Sequence, residues 1–174
     1  EEVAGGVFHV YARGDDRRPI FIDQADHDLY LSLLARVVRL TGWRCLGYCL
    51  MRNHLHLHLE TPEPNLGAGM QRLQSEFAYR WNQRHDRCGH VFQGRYGAER
   101  AKSEAQFWQS VRYVALNPVK AQLCERPEDW LWSSHRLVVE GRTPAWFDDA
   151  RLMELLSSAG GDALERYVEL TRVR

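Results

Sequence analysis

Alternating and helical patterns of apolar residues divide the chain into strands and helices. Period-two stretches predict strands, and apolar residues recurring at three and four predict amphipathic helices. In chain order the pattern predicts a strand over 7–14, a helix from Asp26 to Leu40, strands over 43–51 and 54–60, a helix over 66–85, a strand over 89–101 and a helix over 103–118. This is the element order of a ferredoxin-like fold. We therefore expect an α+β domain, ferredoxin-like or RRM-like, whose antiparallel sheet is covered by helices.

Local signals sharpen several of these boundaries. Arg52 and Asn53 form a tight connection between two strands and predict an antiparallel hairpin. Ser103 is a candidate N-cap for the last long helix, and Pro118 is expected to limit that helix at its other end. The stretch "IFI" at 20–22 predicts a short extended segment. The remainder of the chain predicts short packed helices, which would form a helical C-terminal extension.

Composition places the chain among ordinary globular proteins. It has 174 residues, of which 44% are hydrophobic and 26% charged, so one domain with a real core is expected. No apolar run is long enough to span a membrane, and the start of the sequence lacks the pattern of a secretory signal. We therefore expect a cytoplasmic protein. Its four cysteines show no metal-binding spacing and are expected to be reduced thiols.

The formal net charge of zero hides an uneven distribution of charge along the chain. Residues 71–120 carry 9 basic and 4 acidic side chains, whereas acidic residues outnumber basic ones on both sides of this segment. A basic segment fits a surface for nucleic-acid phosphates, and it fits a solvated helix face equally well.

Three histidines alternate with leucines in the stretch "MRNHLHLHLE". On a strand His54, His56 and His58 would share one face, and adjacent members lie roughly 6–7 Å apart. Two neighbouring imidazoles at that distance are able to hold one divalent ion, such as Mn²⁺, Zn²⁺, Ni²⁺ or Mg²⁺ with additional oxygen ligands. A polar face without any ligand is the simpler interpretation of so short a pattern. A zinc site that takes all three histidines as ligands is disfavoured, because the histidines are nearly in line and span about 13 Å.

Two further polar residues share one face of the helix predicted after Ser103. Tyr113 and Asn117 are four residues apart and therefore one turn apart. If this helix covers the histidine face, the Asn117 amide oxygen could complete a metal site, and Tyr113 could act beside it as a covalent nucleophile. The alternative is that Tyr113 packs in a core with its neighbours Phe107, Trp108, Val111 and Leu116.

Four stretches together resemble a known family. "MRNHLHLHLE", "GHVFQGRY", "VRYVALNPVKAQL" and "RPEDWLWSSHRL" appear in the order and at the spacing found in HUH single-tyrosine transposases, which are IS200-like, and particularly in their REP-associated branch. The resemblance implies a single domain over 1–174, with a core of about 8–136 and a helical extension of about 137–174. Three differences from the family are that Arg52 stands where proline often precedes the asparagine, Gln122 at a frequent glycine and His58 at a usually apolar position.

The resemblance also implies an activity and its residues. His54, His56 and Asn117 would bind Mg²⁺ or Mn²⁺, without an organic cofactor, and Tyr113 would attack single-stranded DNA to form a 5′-phosphotyrosine intermediate. Members of this kind act next to DNA hairpins, and the REP-associated branch recognises repetitive extragenic palindromes. The expected protein is therefore a metal-dependent single-stranded DNA endonuclease and strand transferase. It would work in the bacterial cytoplasm at the nucleoid, as a monomer rather than a dimer.

Candidate DNA contacts come from polar side chains near the predicted sheet edge. The arginine side chain can form two hydrogen bonds to guanine or to phosphate, and the glutamine side chain can form two to adenine. The candidates are Arg13, Arg52, Gln93, Arg95 and Arg100. A second interpretation of the whole chain is a regulatory protein that binds DNA hairpins with little or no cleavage. The joint presence of His54, His56, Tyr113 and Asn117 favours the enzyme, because a pure binding protein has no need of all four.

Overall fold

The computed structural model describes residues 2–157 and 162–173. Its strands and helices are β1 (Gly6–Arg13), α1 (Gln24–Thr41), β2 (Arg44–Leu50), β3 (His54–Thr61), α2 (Leu66–Arg84), β4 (Gly97–Arg100), α3 (Glu104–Lys120), α4 (Ser134–Val139), α5 (Asp149–Ser157) and α6 (Ala163–Thr171). Two 3₁₀ turns lie at Asp15–Arg17 and Pro127–Asp129. None of the described helices is long and apolar enough to cross a membrane.

The four strands form one antiparallel sheet in the order β2-β3-β1-β4. This is the strand order that a ferredoxin-like α+β sandwich requires, so the predicted fold class is confirmed. Residues 52 and 53 make the predicted hairpin connection between β2 and β3.

One face of the sheet forms the main core with α1 and α2. Leu55, Leu57 and Leu59 of β3 are fully buried there with Leu34 of α1 and Phe77 of α2. Burial of these side chains stabilises the sheet and leaves the intervening residues of β3 on the opposite face.

The opposite face carries the histidines and is covered by α3. The pairing of β1 with β3 places His9 opposite His58 and Arg13 opposite His54, so all of these side chains share a face. Helix α3 contacts this face through the Ser110 hydroxyl, 2.7 Å from His58 Nε2. Helices therefore lie on both faces of the sheet.

Helix α3 has the predicted N-cap but runs past its proline. The Ser103 hydroxyl accepts a hydrogen bond from the backbone N–H of Gln106. Pro118 lies inside the last turn, and the helix ends at Lys120. A proline there removes a single backbone donor, which the last turn tolerates. Gln122 then adopts a left-handed φ of 57°, a conformation that glycine takes more readily than other residues.

Two predicted extended segments are shorter or absent. The fourth strand was predicted over 89–101, but only Gly97–Arg100 pairs as a strand, and an isolated bridge joins Phe92 to Gly14. Gly89 in a left-handed conformation interrupts the extended backbone before that bridge. Residues 20–22 form no strand. The N–H groups of Ile20 and Phe21 instead donate to the carbonyl of Arg52.

The C-terminal helices pack against the free edge of β2. Phe147 forms a parallel bridge with Cys45, and the backbone N–H of Asp148 donates to the Cys45 carbonyl. Arg151 of α5 pairs with the buried Glu60 of β3. This cover protects an edge that would otherwise be open to pairing with another chain. All four cysteines are free, as expected.

Candidate active site on the histidine face

Strand β3 and helix α3 bring together the four side chains that the sequence singled out. The Nε2 atom of His54 lies 3.1 Å from the Oδ1 atom of Asn117. The rings of His54 and His56 are 5.2 Å apart between centroids, and the rings of His56 and Tyr113 are 5.5 Å apart. Residues more than fifty positions apart in the chain thus form one cluster on the sheet surface.

The protonation of His54 follows from its neighbour Asn53. The Asn53 amide nitrogen donates to the carbonyl of Arg17 at 3.0 Å, so its oxygen is left to accept from His54 Nδ1 at 2.8 Å. Burial lowers the pKa of His54, which favours the neutral ring. A neutral ring with its proton on Nδ1 presents a lone pair at Nε2, directly opposite the Asn117 amide oxygen. Two acceptors face each other, an arrangement that suits a cation between them.

His56 also presents an unused nitrogen to the cluster. Its Nδ1 lies 3.0 Å from His9 Nε2, whereas its Nε2 is buried without a hydrogen-bond partner. Burial, followed by the nearby His9, His54 and Arg13, lowers the pKa of His56 to about 3. The ring is therefore neutral at physiological pH. An orphaned buried nitrogen beside two other acceptors fits a metal ligand.

These donors fit a divalent ion held by two imidazoles and one amide oxygen. Such a mixed set suits Mn²⁺, or Mg²⁺ that keeps several waters. Within 2–157 and 162–173, no three His, Cys, Asp or Glu side chains form a cluster that could hold a metal. That finding argues against a zinc site of three histidines and leaves open a site that takes its third ligand from asparagine.

His58 has a different environment from the other two histidines. It is 2% exposed, lies beneath α3, and its Nε2 contacts the Ser110 hydroxyl. Gly47 on β2 makes room for it, because a Cβ atom there would lie 2.8 Å from His58 Nδ1. Helix α3 therefore covers His58 and separates it from the exposed part of the site.

Tyr113 is open to solvent beside the histidine pair. Its side chain is 43% exposed, whereas its neighbours Phe107, Val111 and Leu116 are buried. The Lys120 ammonium lies 5.2 Å from the centroid of the Tyr113 ring, within the range of a cation–π contact. A core packing role for Tyr113 is therefore wrong, and its hydroxyl is placed where a large substrate could reach it.

The candidate DNA contacts are all exposed but do not all face the site. Arg13 pairs in register with His54, and the Gln93 backbone N–H donates to the Arg13 carbonyl at 2.9 Å. Arg52 is exposed at the β2-β3 connection, and Arg95 lies in the loop before β4. Arg100 pairs with Phe8, which places it on the opposite face of the sheet. The structure thus brings Arg13 next to the histidine pair and separates Arg100 from it.

Part of the basic middle segment is neutralised within the protein. Arg84 forms ion pairs with Asp23 and the buried Asp26, and Arg80 pairs with Glu76. The excess of positive charge in the sequence therefore overstates the charge that α2 offers to a phosphate backbone.

Two residues of the cluster were not singled out by the sequence. His9 contacts His56, and Tyr11 lies opposite His56 in register with a side chain that is 40% exposed. The signal was present in β1, where alternation puts His9, Tyr11 and Arg13 on one face. What the sequence does not show is that this face joins the histidine face of β3.

Comparison with known proteins agrees with this geometry. The family model for IS200-like transposases matches residues 3–117, a range that contains every residue of the cluster described here except Lys120. The chain belongs to this family, and the expected family is confirmed. No curated protein matches the sequence.

Two solved structures are similar in fold. One is a REP-associated tyrosine transposase bound to a REP hairpin, with a TM-score of 0.71 and 18% identity, covering 83% of this chain and 86% of the other. The second is a protein from Deinococcus radiodurans R1 assigned as a transposase, with a TM-score of 0.48 and 16% identity, covering 64% of this chain and 92% of the other. The first supports the fold over most of the chain.

Proposed function

We propose that this transposase cuts and rejoins single-stranded DNA next to a folded hairpin, with Tyr113 as the nucleophile. The observation that carries the proposal is the position of Tyr113, solvent-exposed and with its ring 5.5 Å from that of His56.

His54, His56 and Asn117 are the residues that would hold Mg²⁺ or Mn²⁺. When bound, such an ion supplies Lewis-acid polarisation of a phosphate oxygen and offsets charge in the transition state. Asn53 and the sheet keep the Nε2 atom of His54 directed at Asn117. No organic cofactor is part of the proposal.

Tyr113 carries the covalent step. Its phenolic oxygen bonds to phosphorus as the bond from phosphorus to the 3′ oxygen breaks, which leaves a 5′-phosphotyrosine and a 3′-hydroxyl. Water is not consumed, so an incoming 3′-hydroxyl can reverse the step and release Tyr113. Because Tyr113 and both histidines belong to the same chain, no residue from a second copy is required, and we propose a monomer.

The proposed partner is a hairpin of a palindromic repeat. The similar REP-associated transposase is bound to such a hairpin. In this chain Arg13, Arg52, Gln93 and Arg95 are exposed and offer contacts to phosphates and bases. Arg100, on the opposite face, would contact only DNA that wraps around the edge strand β4. The proposed setting is the bacterial cytoplasm at the nucleoid, where such DNA is found.

A covalent-adduct assay tests the function. Single-stranded hairpins from the DNA flanking the gene are incubated with the protein and Mn²⁺, and adducts are resolved on a denaturing gel. Wild type should form a denaturation-resistant adduct and Tyr113→Phe should not, although it still binds the hairpin. Tyr11→Phe is the matched control, because it removes a similarly exposed hydroxyl on the same face.

Two results would contradict the proposal. An adduct that persists in Tyr113→Phe would mean that another group is the nucleophile. Hairpin binding by wild type without any adduct in Mg²⁺ or Mn²⁺ would favour the alternative, a regulatory protein that binds hairpins without cutting them.

A further inference from the structure

His9 makes a direct contact with one of the two histidines of the proposed metal site. Its Nε2 atom lies 3.0 Å from Nδ1 of His56, and the two rings stack with centroids 5.1 Å apart. Strand β1 fixes this position, since His9 shares the face of the sheet that carries His56 and pairs in register with His58. No other hydrogen bond to the His56 ring is found among the described residues.

A single proton lies between the two rings, and its position decides what His56 can do. If His9 donates, His56 carries its own proton on Nε2, where it is buried without an acceptor and unable to bind a cation. If His56 donates from Nδ1, its Nε2 presents a lone pair to the cluster. The buried Nε2 atom has no hydrogen-bond partner in either arrangement, but only the second arrangement allows a cation to satisfy it.

The surroundings of His9 favour its role as acceptor. Glu99 pairs with His9 across β1 and β4 and lies on the same face. Because Nε2 of His9 faces His56, Nδ1 is the ring nitrogen left to carry a proton on the side away from His56. A neutral His9 with its proton on the nitrogen remote from His56 accepts at Nε2. Metal-binding histidines usually donate their second nitrogen to such an acceptor, and removing it typically costs 10–100-fold in metal affinity.

We propose that His9 is a positioning residue, which accepts the Nδ1 proton of His56 and thereby directs the Nε2 lone pair of His56 at the metal. The proposal rests on the proposed metal site and adds a residue that never touches the ion or the DNA. It also explains why a third histidine from a separate strand belongs to a cluster in which two imidazoles already suffice as ligands.

Substitutions that move the acceptor test this role. The side-chain oxygen of His9→Gln reaches about as far as the Nε2 atom it replaces, whereas the oxygen of His9→Asn stops near the position of Nδ1. Mn²⁺ affinity is measured without DNA, from the EPR signal of the free ion. We expect His9→Gln to bind within about threefold of wild type, and His9→Asn and His9→Leu to bind about 10–100-fold more weakly. Hairpin binding in EDTA should be the same in all four proteins.

A second measurement reads the proton directly in the metal-free wild-type protein. Nitrogen-15 NMR of the His56 ring should show the proton on Nδ1. A proton on Nε2 would overturn the proposal even if a variant fails to fold. Equal Mn²⁺ affinity in wild type, His9→Asn and His9→Leu would also overturn it while leaving the proposed function intact. If wild type itself binds no Mn²⁺, the proposed metal site fails, and this inference fails with it.

Discussion

Replacement of Asn117 by leucine distinguishes a cation site from an ordinary hydrogen bond. Asn117 Oδ1 and His54 Nε2 are 3.1 Å apart, and the proton of neutral His54 is on the far side of the ring, at Asn53. If both atoms are acceptors, Asn117→Leu removes a repulsion, and the free energy of unfolding without metal should stay the same or rise. If they share a hydrogen bond, the variant leaves a buried nitrogen unpaired and should lose about 1–3 kcal/mol.

When metal is added, wild type should become more stable than Asn117→Leu. An ion that binds only the folded protein, present at 100 times its Kd, stabilises that state by about 2.7 kcal/mol. For a chain of this size each kcal/mol raises Tm by about 2–4 °C, so wild type should gain about 5–11 °C. Asn117→Leu lacks the third ligand, so its Tm should rise little when metal is added.

Thermal unfolding followed by circular dichroism, in EDTA and in Mn²⁺, measures both effects. Ser110→Ala is the matched control, because Ser110 lies on the same helix and contacts His58 but not the metal pair. The Tm of Ser110→Ala should rise in Mn²⁺ as much as that of wild type. Two results would refute this prediction. One is a rise of Tm in Mn²⁺ as large in Asn117→Leu as in wild type. The other is a free energy of unfolding in EDTA that is more than about 1 kcal/mol lower in Asn117→Leu than in wild type.

Three further predictions concern pH, packing and DNA affinity. Burial lowers the pKa of His135 to about 4. As pH falls below about 6.5, the unfolded chain therefore takes up a proton at this residue before the folded chain does, and the free energy of unfolding falls. Between pH 7 and pH 5, the free energy of unfolding measured in urea should fall by about 2 kcal/mol less in His135→Asn than in wild type. Gly47→Ala forces a Cβ atom against His58 and should destabilise the protein by about 1–3 kcal/mol, whereas Gly94→Ala meets no atom within 4 Å and should be neutral in the same titration. Arg13→Gln should reduce the slope of log hairpin affinity against log salt by about one, and an unchanged slope would remove Arg13 from the phosphate contacts.

Local periodicity was sufficient to predict each half of the site. Alternation placed His54 and His56 on one face of β3, and a spacing of four placed Tyr113 and Asn117 on one face of α3. The approach of these two faces is a tertiary feature that periodicity does not encode. It entered as an expectation from the family resemblance and was then found in the structure.

Strand pairing accounts for most of what the sequence did not reveal. His9 is on a strand whose neighbours and register are set by the whole sheet, so its contact with His56 could not be read from β1 alone. Likewise, Arg100 was grouped with Arg13 because both lie on predicted strands. The register of β4 against β1 places Arg100 on the other face, which only the pairing reveals.

The most direct test of the proposed function is to identify the amino acid that becomes linked to DNA. Wild-type protein is incubated with a flanking-sequence hairpin and Mn²⁺, digested with nuclease and protease, and analysed by mass spectrometry. We expect a nucleotide attached through its 5′ phosphate to Tyr113, with none on Tyr11, the exposed tyrosine across the same face. Attachment to any other residue, or cleaved DNA with no attached nucleotide, would contradict it.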